Sequence, residues 1–331
     1  MTSTNGATTS RIARRFWLLG LGIVLFVAAY TAAWFYGADR LGNYVRSQMS
    51  DADVSLACAG LDVKGFPFRI GVFCDAIGID DKRTGTSASF GAVRSAAQVY
   101  RPGHAVLEID GPAQIRVSPD LALTADWDLL HASAVAGTGG LDRTSIAHDG
   151  LKGTFTAGRA DVNLAFSARH GEAHARRNDE ALDVALSADG LNLNVSDTAI
   201  PQVDVALDAT IANAADWLND GPPTTAPHGT KGELHNFSLV FANGSNAALS
   251  GPYEVDDKGR LSGNFQVQVK GIDAVRDAIA EAFPEIAETA SSVASTIRSL
   301  SGGKDEASVK LRVRDGVVYL GIIPLAAIPP L

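Results

Sequence analysis

The run Phe16–Tyr36, FWLLGLGIVLFVAAYTAAWFY, holds 21 residues without a charge. As a helix rising about 1.5 Å per residue it extends roughly 30 Å, the thickness of a bilayer's hydrocarbon core. Such a segment constrains everything attached to it, because water is a poor place to leave it. Arg11, Arg14 and Arg15 precede it, with no acid among the first fifteen residues. Phe16 and Trp17 stand at one end, and Trp34, Phe35 and Tyr36 close the other. Aromatics at both boundaries and arginines on one side predict a membrane anchor, with residues 1–15 as a cytoplasmic tail. A secretory signal shares the basic start, but its apolar core usually spans about 7–15 residues and ends at a small-x-small site. Here the core is longer, and Ala32-Ala33 run straight into Trp34. The segment is therefore read as uncleaved. Leu41, Tyr44, Val45, Gln48 and Met49 keep a helical spacing, which extends the anchor into a stalk over 37–52.

Residues 53–331 read as one water-soluble body, large enough to bury a sizeable core. The net charge of −9 argues against nucleic acid as a partner, because phosphate binding needs a basic footprint. The two cysteines, Cys58 and Cys74, are too few for a thiolate zinc site or a disulfide-dense scaffold. They lie in VSLACAGLDVKGFPFRIGV, where two strand-like runs flank Gly65-Phe66-Pro67, and glycine and proline there are turn punctuation. A turn centred on Phe66 gives cross-strand partners that sum to 132, so Cys58 faces Cys74 and Gly60 faces Val72. Directly opposed Cβ atoms lie about 4.5–5.5 Å apart, within reach of a bridge after slight adjustment. The expectation is a structural disulfide if the body meets an oxidising compartment, and two reduced buried thiols otherwise.

The arrangement Cys58-x-Gly60, Gly65-Phe66-Pro67-Phe68-Arg69 and Cys74, placed behind an apolar N-terminal segment, resembles domain-of-unknown-function family 2125 of bacterial envelope proteins. The likeness covers most of the chain, through Trp127 to the C-terminal strand pair. It implies a membrane-tethered periplasmic β protein and supplies no catalytic residue.

From about Ser87 the body is a succession of short alternating runs. These include His104–Asp110, Gln114–Val117, Leu121–Asp126, Asp161–Phe166, Leu182–Ser187, Leu191–Val195 and Val203–Ala209. An apolar residue at every second position marks a strand buried on one face. Turn signals such as Asp189-Gly190 separate the runs, so consecutive strands should pair as antiparallel hairpins. The fold class read from this is mainly β with minor α, a large, curved antiparallel sheet shaped as a half-pipe or sandwich. The alternation also resembles that of AsmA-type periplasmic proteins, which implies a concave apolar face suited to lipid chains. Near 212–220 a short helix is expected around Trp217, and Gly221-Pro222-Pro223 to Pro227 offers a boundary between halves. Near 272–300 a helical pair is expected, divided at Pro284. At the C-terminus Val309–Arg314 meets Val317–Leu320 across Asp315-Gly316, with partners summing to 631 and Ile322 on the core side. The tail IIPLAAIPPL carries three prolines and should not lie inside a sheet. It packs on the body, or meets a partner or membrane.

The common signatures of chemistry are missing: no P-loop, HExxH, GxSxG or dinucleotide glycine fingerprint occurs. His170 and His174, in RHGEAHARR, are the nearest approach to a metal pair, but the stretch reads as an exposed loop with no third ligand. Asp126 and Asp128 around Trp127 read as solvated acids sharing a strand face. No catalytic residue, metal site or cofactor is expected. The expected role is non-enzymatic: a body tethered to the bilayer that binds or shields lipid or other apolar molecules on a sheet face. The alternative is an assembly factor that binds another envelope protein through sheet edges or the apolar tail.

Overall fold

A computed structural model of the chain describes residues 7–49, 54–158, 162–196 and 198–331. Helix α1 runs unbroken from Ala7 to Gln48. At about 1.5 Å per residue it is roughly 63 Å long, twice the bilayer core. The expected anchor and stalk are thus one rod, and the helix already includes the stretch from Ala7 that the sequence assigned to the cytoplasmic tail. The end of the expected stalk, residues 50–52, lies outside the described residues.

All twenty strands found among the described residues join one sheet, and every pairing is antiparallel. The first ten form five long strands, each jogged near its middle. They are β1 (Val54–Ala59) with β2 (Asp62–Lys64), β3 (Arg69–Cys74) with β4 (Ala76–Asp81), and β5 (Thr86–Phe90) with β6 (Val93–Gln98). β7 (Arg101–Ile109) with β8 (Ala113–Ser118) and β9 (Leu121–Asp126) with β10 (Leu129–Gly137) complete the five. The jog splits the sheet into two lanes. One lane runs β2–β3–β6–β7–β10 and the other β1–β4–β5–β8–β9. Both lanes end on the 18-residue β11 (Gly140–Ala157), whose two halves take β10 and β9.

From β11 the sheet proceeds strand by strand through β12 (Val162–Asn178), β13 (Ala181–Val195) and β14 (Thr198–Ile211). It continues through β15 (Lys231–Phe241), β16 (Asn246–Val255), β17 (Leu261–Lys270) and β18 (Glu306–Arg314). β19 (Val317–Leu320) and β20 (Ile323–Ala327) close it. Because β14 pairs directly with β15, the proline-rich loop at 221–227 does not interrupt the sheet. The single-turn α2 (Trp217–Asp220) sits at that loop.

Two longer helices cover one end of the sheet, while α2 touches β11 and β12 and α1 touches β2. α3 (Ile272–Ala282) lies against β14 and β17, and α4 (Ala287–Leu300) lies against β18, with Pro284–Ile286 forming the break between them. Ile272, Ala294 and Ile297 are buried together on Val269, Ala307 and Val309. Proline 284 divides the pair as its missing donor requires. Phe283 and Ile286, at the corner, remain exposed. No large side chain among the described residues is fully buried. The body is an open sheet with a local helical cover, not a filled sandwich.

Several sequence expectations need correction. RHGEAHARR is no loop: it is the C-terminal half of β12, because its partners on β11 and β13 continue the ladder through Asp149↔His170 and Glu172↔Ser187. Asp189-Gly190 is no turn: β13 passes through it with a bulge, and Gly190 takes φ +63°, a conformation open to glycine that lets the strand jog without ending. Asp126 and Asp128 do not share a strand, since Trp127 and Asp128 occupy the jog between β9 and β10. The tail does enter the sheet. β20 holds Pro324 on the outermost strand, where a missing donor costs no ladder bond. Ile322, expected on the core side, is instead 94% exposed in the turn before it. The C-terminal hairpin register, Arg314↔Val317 and Val313↔Val318, is as the sequence predicts.

Candidate functional site

The GFPFR segment is a tight turn, with the Arg69 amide donating to the Gly65 carbonyl at 2.9 Å. The hairpin below it is shifted by three residues from the expected register: Asp62 pairs with Phe73 and Val63 with Val72. On the same count Cys58 pairs with Ile77, not Cys74. The cysteines nonetheless form a disulfide, with Cα atoms 5.3 Å apart. They meet because both long strands break between them. Gly60, at φ +64°, passes so close to the Asp75 carboxylate that any Cβ would collide with it. The bridge therefore staples a jog rather than joining opposed residues.

The turn carries the contact between body and α1. Tyr30, Trp34, Ala38, Leu41 and Val45 recur every three or four residues and form the shielded stripe of α1. The Tyr30 hydroxyl donates to the Pro67 carbonyl, and Trp34 Nε1 donates to the Arg69 carbonyl at 3.0 Å. The Phe66 ring stands among Tyr30, Trp34 and Phe35, at centroid distances of 6.4, 5.5 and 5.6 Å. Edge-on and offset ring pairs of this kind add about 0.5–1.5 kcal/mol each beyond area burial. The sequence-predicted anchor residues Trp34 and Phe35 and the motif residues Phe66, Pro67 and Arg69 are thus brought together. Phe16 and Trp17, at the far end of the helix, lie exposed and apart from the body, and Tyr36 stacks under Arg40 at 5.4 Å.

A second feature is visible only in the assembled ladder. One row of directly opposed residues crosses eight strands on a single face: Ile146, Ala173, Leu186, Leu207, Phe237, Leu249, Val267 and Val309. A parallel row in the other lane runs Leu56, Ile79, Ala88, Ile115, Leu123, Phe155, Leu164 and Val195. Among the described residues α3 and α4 cover the β14–β18 end of the first row, and α2 lies against β11 and β12. Farther along, Ile146 and Leu186 are each 48% exposed, with small Ala173 between them. Beside this row His148 has a buried Nδ1 with no hydrogen-bond partner. Burial, then the neighbouring His170, push its pKa down, so it is neutral at pH 7.

The opposite face is polar. His170 Nδ1 meets Asp149 at 2.7 Å, Glu172 bridges His170 and His174 at 3.2 and 2.8 Å, and His174 Nδ1 meets Ser145 at 2.9 Å. The hydrogen bond to Asp149, then that to Glu172, raise the His170 pKa, while both imidazoles lower that of Glu172. Arg176, Asp183, Thr210 and His235 continue the strip. Burial works to raise the Asp183 pKa, but Arg176, Thr210 and Asn178 outweigh it and the net shift is downward. His170 and His174 are therefore held by carboxylate and hydroxyl partners. Among the described residues no group of three or more His, Cys, Asp or Glu is placed to hold a metal ion.

An apolar N-terminal helix long enough to cross a membrane, joined to a large open antiparallel sheet with a stapled first hairpin, defines a mainly β protein whose described residues hold one helix of membrane-spanning length. The chain belongs to a family described as an uncharacterized protein conserved in bacteria (DUF2125), whose model matches residues 34–329. Neither a curated protein nor a solved structure shows significant similarity to it.

The matched span begins at Trp34, the residue that donates to the hairpin carbonyl, and includes both cysteines. Sequence reasoning found Gly65–Arg69 as a motif but not its partner on the helix, since the stripe through Tyr30, Trp34 and Ala38 lies inside an unbroken apolar run. It also missed Ile146, Leu186 and His148, whose common face depends on strand pairing.

Proposed function

We propose that the chain is a single-pass bacterial inner-membrane protein, with its N-terminus cytoplasmic and its sheet periplasmic. In this reading it binds or shields lipid, or other apolar molecules, on the open sheet face without catalysing a reaction. The observation that carries this is the uncovered stretch of the apolar row at Ile146–Ala173–Leu186. An apolar strip of this kind costs free energy in water and is rarely left uncovered without a partner. The arginines before Phe16 support the orientation, and an oxidised Cys58–Cys74 pair suits a periplasmic body. Full-length protein purified from membranes and washed extensively should release lipid in an organic extract, in fixed ratio to the chain. A lipid-free chain that also fails to take up a fluorescent fatty acid would sink the reading.

A second reading, an assembly factor for another envelope protein, is favoured by the outer edge of β20. Among the described residues this strand pairs with β19 alone, and Ile323 at its start and Ile322 just before it are exposed. An exposed edge is a template for another chain. The tail itself is tied down, by the Ile328 amide to the Gly316 carbonyl and the Leu331 amide to the Gly259 carbonyl. Capture of one defined envelope protein, lost on removal of Ile322–Leu331 from a lipid-free chain, would establish this reading instead.

A further inference from the structure

We infer that the first two hairpin tips at one end of the body, Phe66–Phe68 and Val99–Tyr100, insert into the outer leaflet beside the anchor, so that the sheet is seated on the membrane rather than merely tethered to it. The inference rests on the reading of α1 as a membrane span. Phe66 packs on Tyr30, Trp34 and Phe35, which all lie within the uncharged run. Pro67 accepts from Tyr30, six residues inside the end of that run, which is about 9 Å along the helix. Whatever surrounds the helix at that depth also surrounds the turn. Gly42, farther along α1, approaches Val63, so the helix runs alongside β2 and the turn points toward the membrane end.

The second tip is tied to the first, because the Val99 amide donates to the Phe68 carbonyl. Phe68 is 68% exposed and Tyr100 67%, unusual for aromatics on a turn in water, and Val99 is exposed beside them. Cations flank both tips: Lys64 and Arg69 on one, Arg101 on the other, all exposed. Arg69 and Arg101 lie on either side of Gln98, which pairs with both. Lys64 is paired with Asp62 at 3.1 Å, but in a chain of net charge −9 an aromatic tip flanked by Arg69 and Arg101 is still a local reversal of sign. Aromatic rings below and cations above match the interfacial layer of an anionic bilayer. The next two tips at that end, around Thr138-Gly139 and Asp179-Glu180, carry no aromatic residue.

The test uses the full chain in vesicles of phosphatidylethanolamine and phosphatidylglycerol, with one nitroxide attached through Phe68→Cys, Tyr100→Cys, Phe26→Cys or Ile322→Cys. The native cysteines are already paired and do not take the label. Collision with oxygen, which prefers lipid, is compared with collision with a water-soluble nickel chelate. Labels at 68 and 100 should lose nickel accessibility relative to the label at 322 and approach the label at 26. A label at 26 in lipid with those at 68 and 100 in water overturns the insertion while leaving the anchor intact. A label at 26 in water overturns the anchor itself, and the insertion with it.

Discussion

Placing a carboxylate on each side of Ala173, as Ile146→Asp with Leu186→Asp, should abolish apolar binding while leaving the fold intact. Full burial of such a side chain is worth about 1.5–3 kcal/mol, and each is already half covered by its neighbours. A ligand that covers the remainder therefore gains about 1 kcal/mol at each position. Both gains vanish in the double variant, and two carboxylates must also shed water against an apolar chain, which adds a further cost. The loss is at least about 2 kcal/mol, or roughly 30-fold in affinity. Native stability should change little, because both positions are exposed in the unliganded sheet. The assay is titration with a fluorescent fatty acid, with circular dichroism to confirm the fold. Ala185→Asp is the control: it sits on β13 next to Leu186 but faces His174 on the polar side. Its affinity should stay within about threefold. Equal weakening by both variants, or none by the double variant, would refute the assignment of the apolar face as the binding surface.

Removing the disulfide as Cys58→Ala with Cys74→Ala frees a 16-residue separation and should cost about 3 kcal/mol by the chain-entropy relation. Hydrogen exchange should quicken by about a hundredfold in residues 54–64 and stay unchanged in β12 and β13; uniform acceleration would contradict a local staple. Phe66→Ala removes a half-exposed ring from three aromatic neighbours and should cost about 2 kcal/mol of local stability, read as faster exchange in the β2–β3 hairpin. Proton uptake should separate two histidines that sit on opposite faces of the same ladder. His170, raised by Asp149 and Glu172, should stay protonated above pH 6.5, and its stabilisation is complete below that value and lost as pH rises through its folded pKa. His148, lowered by burial, should remain neutral there, and residue-resolved NMR titration in which His148 retains its proton longer would reverse the assignment.

The covalent sequence by itself determined the elements with strong local signals. Twenty-one uncharged residues admit one conformation whose backbone groups satisfy themselves, so α1 was legible at once. Two-residue alternation was likewise enough to identify the strands and the sheet class, and Asp315-Gly316 with its flanking runs was enough to set a register. Proline 284 marked its own break. The failures share a cause, which is that alternation says which residues share a face of one strand but not which strand lies beside it, nor where a long strand jogs. Asp189-Gly190 looks like a turn because its local chemistry suits both a turn and a bulge, and the ladders from β12 and β14 decided for the bulge. RHGEAHARR looks like a loop because its charges suit water, and the polar face of an open sheet is also water. Cys58 and Cys74 were paired correctly on a register off by three, since the break at Gly60 brings together residues that simple pairing would separate. The row from Ile146 to Val309 exists only when eight strands are aligned. Helix α1 was read from composition as a tether. Tertiary structure decided that it is a docking post for the first hairpin, because the stripe of Tyr30 and Trp34 gains meaning only when Phe66 and the Pro67 carbonyl arrive from that hairpin.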